Sequence, residues 1–310
     1  MNIDLVYLWV DENDKNWREK KSKYTTKSYN KDAVDDCSFV NNDELKYSLR
    51  SIEKYAPWIN RIFLVTDNQT PEWLNLENKK IKIVDHSEII PQDKLPLFNS
   101  CAIESRIPYI PELSEYFLYA NDDTLLWDNV DKDFFFVDEK PVCRVDKRIW
   151  NFRIYKHLYG HTIQRAYNLV KKRFNKNIPA FFPHHGIDAY RKSLFLECIE
   201  EFKPEFDETL NHRFRKFTDM QRMCVTYYTL AKNMGELRNI QPSFYNRYFK
   251  KLSAESKCYN ITTSAIKEIQ KVNTKLLCIN DCRKTKPEDR KNIKVLLEQK
   301  FPQKSEFELY

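Results

Sequence analysis

The sequence predicts an α/β protein with a mainly parallel sheet, helices on the faces of that sheet, and a helical insertion. Three observations support this fold class. Apolar, β-branched runs alternate with helical segments over residues 1–140, a basic helical block follows over 141–269, and a strand and a helix return over 270–310. Because strands separated by helices favour parallel pairing, we expect residues 1–140 and 270–310 to form one core. We expect residues 141–269 to dock on it as an insertion.

Four strands are predicted in the first part of the core. The run over 3–10 is almost continuously apolar, which is typical of a strand covered on both faces, and it ends at Asp11. Residues 13–42 are polar and predict a long loop or lid. The other strands are expected over 61–66, 81–84 and 116–120, and the last of them runs directly into Asn121-Asp122-Asp123.

The helices are predicted from apolar spacing and from their caps. One begins at Asn42 or Asp43, carries apolar residues every three to four positions, and ends before Pro57. Further helices are expected over 100–110, 152–175, 191–202, 219–233 and 287–300, and a last short strand over 275–279. The helix over 152–175 is amphipathic with a basic polar face, so peripheral contact with an anionic membrane is one expectation for it.

Charge and glycine usage restrict what the chain can bind. Residues 1–140 hold 18 Lys and Arg against 27 Asp and Glu, whereas the rest holds 34 against 18. The acidic part can therefore bind a cation and the basic part anions. Gly160, Gly186 and Gly235 are the three glycines and stand isolated, which excludes G-x-G-x-x-G and Walker A loops. A bound phosphate must be held mainly by side chains or a metal.

Targeting signals and cysteine usage predict a cytoplasmic location. The amino-terminal residues lack the basic region of a secretory signal, and no apolar window approaches the length of a membrane span. The eight cysteines include no C-x-x-C pair, and Cys278 and Cys282 lack the neighbouring ligands of a zinc site. We therefore expect reduced thiols and no zinc centre built on that pair.

Polar residues follow two of the predicted strands. Asp11 and the pair Asp122 and Asp123 come at the carboxyl ends of strands, which is where open α/β sheets bind ligands. Paired carboxylates there could hold Mg²⁺ or Mn²⁺, or one could act as a base toward a hydroxyl. The alternative is that these residues form a turn and cap the next element.

Two further candidate groups lie in the basic part. His184 and His185 form a Pro-His-His-Gly step, in which one imidazole could donate to phosphate or relay a proton. A buried histidine bonded to backbone is the alternative. Arg213 and Arg215 precede Thr218, which could cap the next helix, so either guanidinium could bind an anion at that helix start. Solvated surface charge is the alternative for both.

Four stretches of the chain together resemble the Stealth family of sugar-phosphate transferases. They cover residues 3–11 (IDLVYLWVD), 43–136, 178–228 and 276–282 (LLCINDC). The longest contains DELKYSLRSIEKYAPWINRIFLVTDNQTPEWLN and YFLYANDDTLL, and the third contains PAFFPHHGIDAYRKS and RKFTDMQ. The family includes bacterial capsule polysaccharide phosphotransferases and the catalytic subunit of the lysosomal-enzyme N-acetylglucosamine-1-phosphotransferase.

This resemblance implies a GT-A-like core that binds a nucleotide sugar, with the insertion completing the active site. The implied reaction transfers a sugar 1-phosphate from a UDP-sugar, with UDP-GlcNAc as one candidate donor, to a hydroxyl of a glycan acceptor such as a capsule oligosaccharide. A phosphodiester forms and UMP leaves, so attack is at phosphorus. The implied cofactor is Mg²⁺ or Mn²⁺, and the implied place is the cytoplasm or the inner face of the membrane.

The resemblance also assigns site residues. Asp122 and Asp123 are metal-binding or base residues, with Asp123 as the metal ligand. His184 is preferred to His185, and Arg215 is preferred to Arg213 as the diphosphate clamp, but both rivals stay open. The donor-site or supporting residues are Trp9, Asp11, Arg50 and Asn280.

Two other functions compete with sugar-phosphate transfer. A conventional metal-dependent glycosyltransferase also places acidic residues after a strand, but it releases UDP. The basic, aromatic-rich residues 141–255 would suit a nucleic-acid-binding module. No nucleic-acid-binding motif is present in the sequence, however, and the acidic part would repel phosphates without a metal. We therefore expect no specific nucleic-acid partner.

Overall fold

A five-stranded sheet forms the centre of the molecule. The computed structural model describes residues 1–26, 33, 40–149, 157–175, 178–240 and 255–309. The central strands are β1 (Ile3–Leu8), β2 (Ile62–Thr66), β3 (Ile81–Asp85), β4 (Tyr116–Asn121) and β9 (Asp188–Arg191), in the order β3-β2-β1-β4-β9. The first four are parallel and β9 is antiparallel to β4. The α/β fold class with a mainly parallel sheet is therefore confirmed.

Two smaller sheets flank the central one. One has the order β11 (Ser256–Asn260), β12 (Leu276–Asn280), β5 (Thr124–Leu126). The other is built from β6 (Phe136–Val137), β7 (Lys140–Arg148), β8 (Phe181–Pro183) and β10 (Glu236–Asn239). Residues 141–269 thus supply strands as well as the predicted helices. Apart from β7, these strands are too short, from three to five residues, to leave a period in the sequence.

The helices agree with most of the predicted segments. They are α1 (Lys15–Tyr24), α2 (Glu44–Tyr55), α3 (His86–Ile89), α4 (Ser100–Glu104), α5 (Lys132–Phe135), α6 (Leu158–Phe174), α7 (Lys192–Glu201), α8 (Lys203–Leu210), α9 (Met223–Ala231), α10 (Thr263–Ile269) and α11 (Pro287–Lys300). The predicted helix over 100–110 is α4 followed by a 3₁₀ turn at Ile107–Tyr109. The start of the predicted helix over 152–175 lies outside the described residues.

One predicted loop is partly wrong. Residues 13–42 begin with α1, because the Asp14 side chain accepts hydrogen bonds from the backbone N–H groups of Asn16 and Trp17 and caps the helix. Trp17 is buried and packs edge-on against Phe98. The rest of this segment is described only over 25–26, at residue 33 and over 40–42.

Alternate residues of β1 face two different cores. Val6 packs in the core covered by α6, α7, α8 and α9, whereas Leu5 and Tyr7 pack in the core covered by α2. A third core lies between α10, α11 and the β12–β5 pair. Because helices cover both faces of the sheet, its strands are buried on both sides and read as continuous apolar runs.

The amphipathic helix α6 uses its apolar face inside the protein. Ile163, Ala166 and Val170 are buried, while Lys171 and Lys172 are exposed near its end. Contact of this helix with a membrane stays a prediction, and it would have to use charge rather than the apolar face. None of the helices within the described ranges combines the length and the apolar character needed to cross a bilayer.

Candidate active site

A cavity of about 420 Å³ opens where the central strands end. Trp9 after β1, Asp67 after β2, and residues 121–123 after β4 all line it. Ligands of open parallel sheets bind at this edge, and the cavity has the size of a small-molecule site. Its charged lining divides into an acidic and a basic group.

The turn that carries the two aspartates is held from both sides. Thr124 Oγ1 donates to the carbonyl of Asn121 at 2.6 Å, and the backbone N–H of Asp123 donates to Asp122 Oδ1 at 3.1 Å. The backbone N–H of Ile279, on β12, donates to the carbonyl of Asp123 at 2.9 Å. The carboxylates therefore project into the cavity from a fixed turn between β4 and β5.

Glu44, Asp122 and Asp123 form what we call the carboxylate cluster. Burial raises the pKa of Asp122, and the negative charges of Asp123 and Glu44 raise it further. Burial also raises the pKa of Asp123, to about 6, against the hydrogen bond from the Cys278 thiol, and raises that of Glu44 to about 7. Asp123 Oδ1 is buried without a hydrogen-bond partner in the described part of the chain. Such a group of carboxylates favours a bound cation.

Glu44 is a residue that the sequence analysis missed. It lies in the first turn of α2, where an acidic residue is ordinary and usually exposed. Here it is buried, and its carboxylate accepts hydrogen bonds from the backbone and side chain of Asn42 at 2.6 and 2.7 Å. Its position on the strongly matching stretch 43–136 is the signal that could have found it.

The two adjacent histidines have different surroundings. His184 is buried, with Nε2 2.9 Å from Asp188 Oδ1 and Nδ1 3.3 Å from Ser256 Oγ. His185 lines the cavity. Desolvation by the surrounding protein and the charge of Arg222 lower the pKa of His185 to about 4, although the residue is exposed by surface area, so its imidazole is neutral at pH 7. The geometry therefore favours His185 over His184 for contact with a ligand.

Gly186 is required by this arrangement for space rather than for a left-handed backbone. A Cβ atom at residue 186 would lie 2.7 Å from His184 Nδ1. No real Cβ approaches that closely, so any other residue would displace the imidazole of His184.

His184, Asp188 and Arg222 form what we call the histidine–arginine cluster. Arg222 Nε donates to Asp188 Oδ2 at 2.7 Å, and the other Asp188 oxygen faces His184. Burial would raise the pKa of Asp188, but the charges and hydrogen bonds of Arg222 and His184 lower it to about 2. Arg222 also lines the cavity. Neither Asp188 nor Arg222 was predicted from the sequence, because both stand among many other charged residues.

The loop before α9 brings Arg215 to the cavity. The buried carboxylate of Asp219 accepts from the backbone of Lys216 at 2.8 Å and from Asn99 Nδ2 at 2.8 Å, and lies 2.6 Å from His212 Nδ1. Arg215 lines the cavity. Arg213 instead donates to the carbonyls of Leu95 and Pro96, at 3.0 Å each.

The predicted start of the helix over 219–233 is wrong, and so is the predicted cap at Thr218. The helix begins at Met223, because the contacts of Asp219 close the preceding residues into a loop. Arg215 therefore reaches the cavity from a loop and not from a helix start.

Of the four donor-site or supporting residues that the resemblance implies, two line the cavity and two do not. Trp9 and Asn280 line the cavity. Asp11 accepts from the backbone and side chain of Asn13 at 2.9 Å, and is not among the residues that line it. Arg50 is buried, donates twice to Glu308 at 2.8 Å, and ties α2 to the last residues of the chain. It also lies outside the set that lines the cavity.

Comparison with known proteins identifies the family. Models described as Stealth protein conserved regions 1, 2 and 3 match residues 1–29, 38–143 and 184–230. The exopolysaccharide phosphotransferase cps2G of Lactiplantibacillus plantarum is 32% identical over 99% of this chain and 96% of its own length. The chain belongs to the Stealth family. The resemblance seen in the sequence is thereby confirmed, and the protein is an enzyme of the sugar-phosphate transferase class.

Other Stealth-family relatives are named for capsule synthesis. The capsular polysaccharide phosphotransferase SacB of Neisseria meningitidis serogroup A is 33% identical over 99% of this chain, which spans 57% of SacB.

The structure of the galactosyltransferase LgtC in complex with donor and acceptor sugar analogs aligns over 98% of both chains, with 11% identity and a TM-score of 0.47. The carboxylate cluster lies in conserved region 2, and the histidine–arginine cluster lies in conserved region 3.

The residues present fit a magnesium-type cation shared with a ligand. Mg²⁺ usually takes one or two carboxylates and completes its octahedral coordination with water or substrate phosphates. Asp122 and Asp123 supply such oxygens, including the unpartnered Asp123 Oδ1. A fuller protein cage is not formed by these residues. In the described ranges, the three-residue group of ligand atoms within 4.8 Å of one another is His185, Cys258 and Cys278.

Proposed function

We propose that this Stealth-family enzyme transfers a sugar 1-phosphate from a UDP-sugar to a hydroxyl of a glycan acceptor and releases UMP. One observation carries the proposal. A single cavity combines carboxylates that lack ion-pair partners in the described chain with Arg215 and Arg222. A diphosphate can be neutralised by both groups at once, through a cation on one and guanidinium groups on the other. The relatives named as exopolysaccharide and capsular polysaccharide phosphotransferases support a glycan acceptor.

The proposed reaction forms one P–O bond and breaks another. The oxygen of the acceptor hydroxyl attacks the phosphorus that bears the sugar. The bond from that phosphorus to the bridging oxygen of the diphosphate breaks, UMP leaves with the electron pair, and the proton of the hydroxyl passes to a base. The bond between the sugar and its phosphate is untouched, so the anomeric configuration is retained.

Mg²⁺ or Mn²⁺ is the proposed cofactor, held by Asp123 and Asp122 with Glu44 nearby. When bound there, the ion would neutralise charge on the diphosphate of the donor. Burial raises the pKa of Asp123 to about 6, because the negative charge of its carboxylate is poorly stabilised in the cavity without a cation. Arg215 and Arg222 are proposed to bind the remaining phosphate oxygens, in the manner of a planar guanidinium fork.

His185 is the proposed acceptor of the hydroxyl proton. Its pKa of about 4 leaves it unprotonated at pH 7 in the empty cavity. The nearby negative charge of a bound diphosphate would raise that pKa toward neutrality and make the imidazole a better base. Asp122 is the competing base. If His185 is the base, the His185→Gln variant should lose the fall in rate at acidic pH. If Asp122 is the base, the variant should keep that fall in rate.

The released nucleotide tests the proposal against a glycosyltransferase. The enzyme is incubated with a panel of UDP-sugars, Mg²⁺ and capsule-type oligosaccharides, and the nucleotides are separated by anion exchange. We expect UMP together with a ³¹P resonance of a phosphodiester in the glycan. UDP and a phosphate-free product would establish glycosyl transfer instead. Asp123→Asn serves as the control for contaminating hydrolases, because it should release neither nucleotide.

A further inference from the structure

An imidazole and two thiols converge at the edge of the cavity. The ligand atoms of His185, Cys258 and Cys278 all lie within 4.8 Å of one another. Cys258 on β11 and Cys278 on β12 are direct partners in a parallel ladder, and His185 lies between β8 and β9. Their backbones are therefore held by strand pairing, which brings together residues that lie 73 and 20 positions apart in the sequence.

The donor set is that of a thiophilic cation. Zinc binds thiolates at about 2.3 Å and imidazole at about 2.0–2.1 Å in tetrahedral geometry, so its ligands lie roughly 3.5–4 Å apart. The observed group needs a contraction of about an ångström or less to reach that spacing. Soft sulfur ligands do not suit Mg²⁺, whose preference is for oxygen. The cluster is thus chemically different from the carboxylate cluster beside it.

Neighbouring groups favour coordination over a disulfide. Asn280 Nδ2 donates to Cys258 Sγ at 3.1 Å, a contact that stabilises a thiolate and orients it. Asp123 Oδ2 lies 3.5 Å from Cys278 Sγ and can supply a fourth, oxygen ligand. Cys258 is exposed, so an ion can reach the site from solvent. A disulfide would use the two sulfurs and leave both His185 and this oxygen without a role.

We propose that His185, Cys258 and Cys278 bind one thiophilic divalent cation of the zinc type, with Asp123 or a water molecule as the fourth ligand. On binding, each thiol releases its proton to solvent and both sulfurs bind the cation as thiolates. Cys278 and Cys282, for which no zinc site was expected, are not the pair proposed here. Cys282 instead lies 3.5 Å from the Thr285 hydroxyl and is not part of the cluster.

The occupied site would interfere with sugar-phosphate transfer, a consequence that rests on the proposed function. The bound cation would take the lone pair of His185 and draw the carboxylate of Asp123 toward the two sulfurs. Zinc-type ions are therefore expected to inhibit the enzyme even when Mg²⁺ is present. Binding itself does not depend on the reaction, so it can be tested on its own.

Cobalt titration of the full-length chain tests the site without an activity assay. Co²⁺ bound by two thiolates gives a sulfur-to-metal charge-transfer band and intense visible bands typical of tetrahedral coordination. We expect saturation at one equivalent per chain under reducing conditions, with full displacement by Zn²⁺. The exposed Cys258→Ser variant should bind Co²⁺ at least tenfold more weakly and lose most of the charge-transfer band. Cys282→Ser is the matched control and should titrate like the wild type.

Three results would overturn the proposal. The first is a wild-type protein without the charge-transfer band, and the second is a Cys258→Ser variant that titrates like the wild type. The third is a count of six thiols instead of eight in the unfolded, unreduced protein, together with a disulfide-linked peptide pair that contains Cys258 and Cys278. The His185→Gln variant, checked by circular dichroism, provides a second variant whose sulfurs are intact. It should keep a charge-transfer band but bind more weakly.

Discussion

The carboxylate cluster and the histidine–arginine cluster border the same cavity but differ in their partners. Asp188 has one oxygen on His184 and the other on Arg222, and its pKa falls to about 2. Within the described ranges, Glu44, Asp122 and Asp123 form no ion pair, and their pKa values rise. The histidine–arginine cluster should therefore stabilise the fold, and the carboxylate cluster should destabilise it when no cation is bound. We therefore expect the carboxylate cluster to be functional, because strongly perturbed pKa values concentrate at functional sites.

The largest expected effect follows from Asp123→Asn. If the carboxylate cluster holds the cation of the reaction, turnover should fall by about a thousandfold or more, since stabilisation of the developing charge is lost. The thermal midpoint should stay equal or rise, because an uncompensated buried charge is removed. Steady-state rates and a melting curve of the same preparation measure both. If the variant is inactive because its melting temperature falls, Asp123 stabilises the fold, as the histidine–arginine cluster does.

Asp188→Asn should show the opposite pattern. Loss of this charge leaves Arg222 and His184 unpaired in the interior, which should lower the free energy of unfolding by about 3–5 kcal/mol. Urea denaturation measures this change. Asp207→Asn is the matched control, because Asp207 forms an exposed pair with Lys203 and should cost less than about 1 kcal/mol. Similar losses in Asp188→Asn and Asp207→Asn would show that the buried contacts of Asp188 stabilise the fold no more than an exposed ion pair does.

Arg215→Ala and Arg213→Ala test the basic lining of the cavity. Loss of a guanidinium that binds the diphosphate should lower kcat/KM about 30-fold or more, which corresponds to about 2 kcal/mol. Arg213 spans backbone carbonyls instead, so its loss should lower the melting temperature while kcat/KM of the folded enzyme changes by less than about threefold. The reverse result would make Arg213 the clamp.

The sequence predicts the skeleton of this site better than its lining. The apolar runs over 3–10 and 116–120 required buried parallel strands, and the acidic residues after them had to reach one edge of the sheet. Glu44 could not be found in this way, because it is held by Asn42, whose side chain also donates to the distant Asp281. Long-range packing decides burial, and local composition does not record it.

The histidine step shows the same limit at a finer scale. Two adjacent side chains point in different directions, so at most one of His184 and His185 was expected to face the cavity. Which one does so is set by the Asp188 and Ser256 side chains that hold His184. Those partners lie on β9 and on β11, and the sequence gives no sign of their positions. Most strands of residues 141–269 were missed for a related reason, because strands of three to five residues leave no measurable period.

The dependence of stability on pH tests the comparison between the clusters most directly. A carboxyl group with a raised folded-state pKa destabilises the protein as the pH rises from its unfolded value to its folded value. For Glu44 this window runs from 4.5 to about 7. Asp188 changes the stability only below about pH 4, because its carboxylate becomes protonated and its stabilising contribution is lost as the pH falls toward about 2. The two clusters therefore contribute in separate ranges of pH.

The decisive measurement is the free energy of unfolding of the wild type and of Glu44→Gln at pH 5 and pH 8 without divalent cations. The wild type should lose about 1–3 kcal/mol more than the variant between these pH values. Glu19→Gln, at an exposed position, is the control and should follow the wild type. Added Mg²⁺ should recover most of the wild-type loss at pH 8. If the free energies of unfolding of the wild type and of Glu44→Gln changed equally between pH 5 and pH 8, the claim that the carboxylate cluster destabilises the fold would be contradicted.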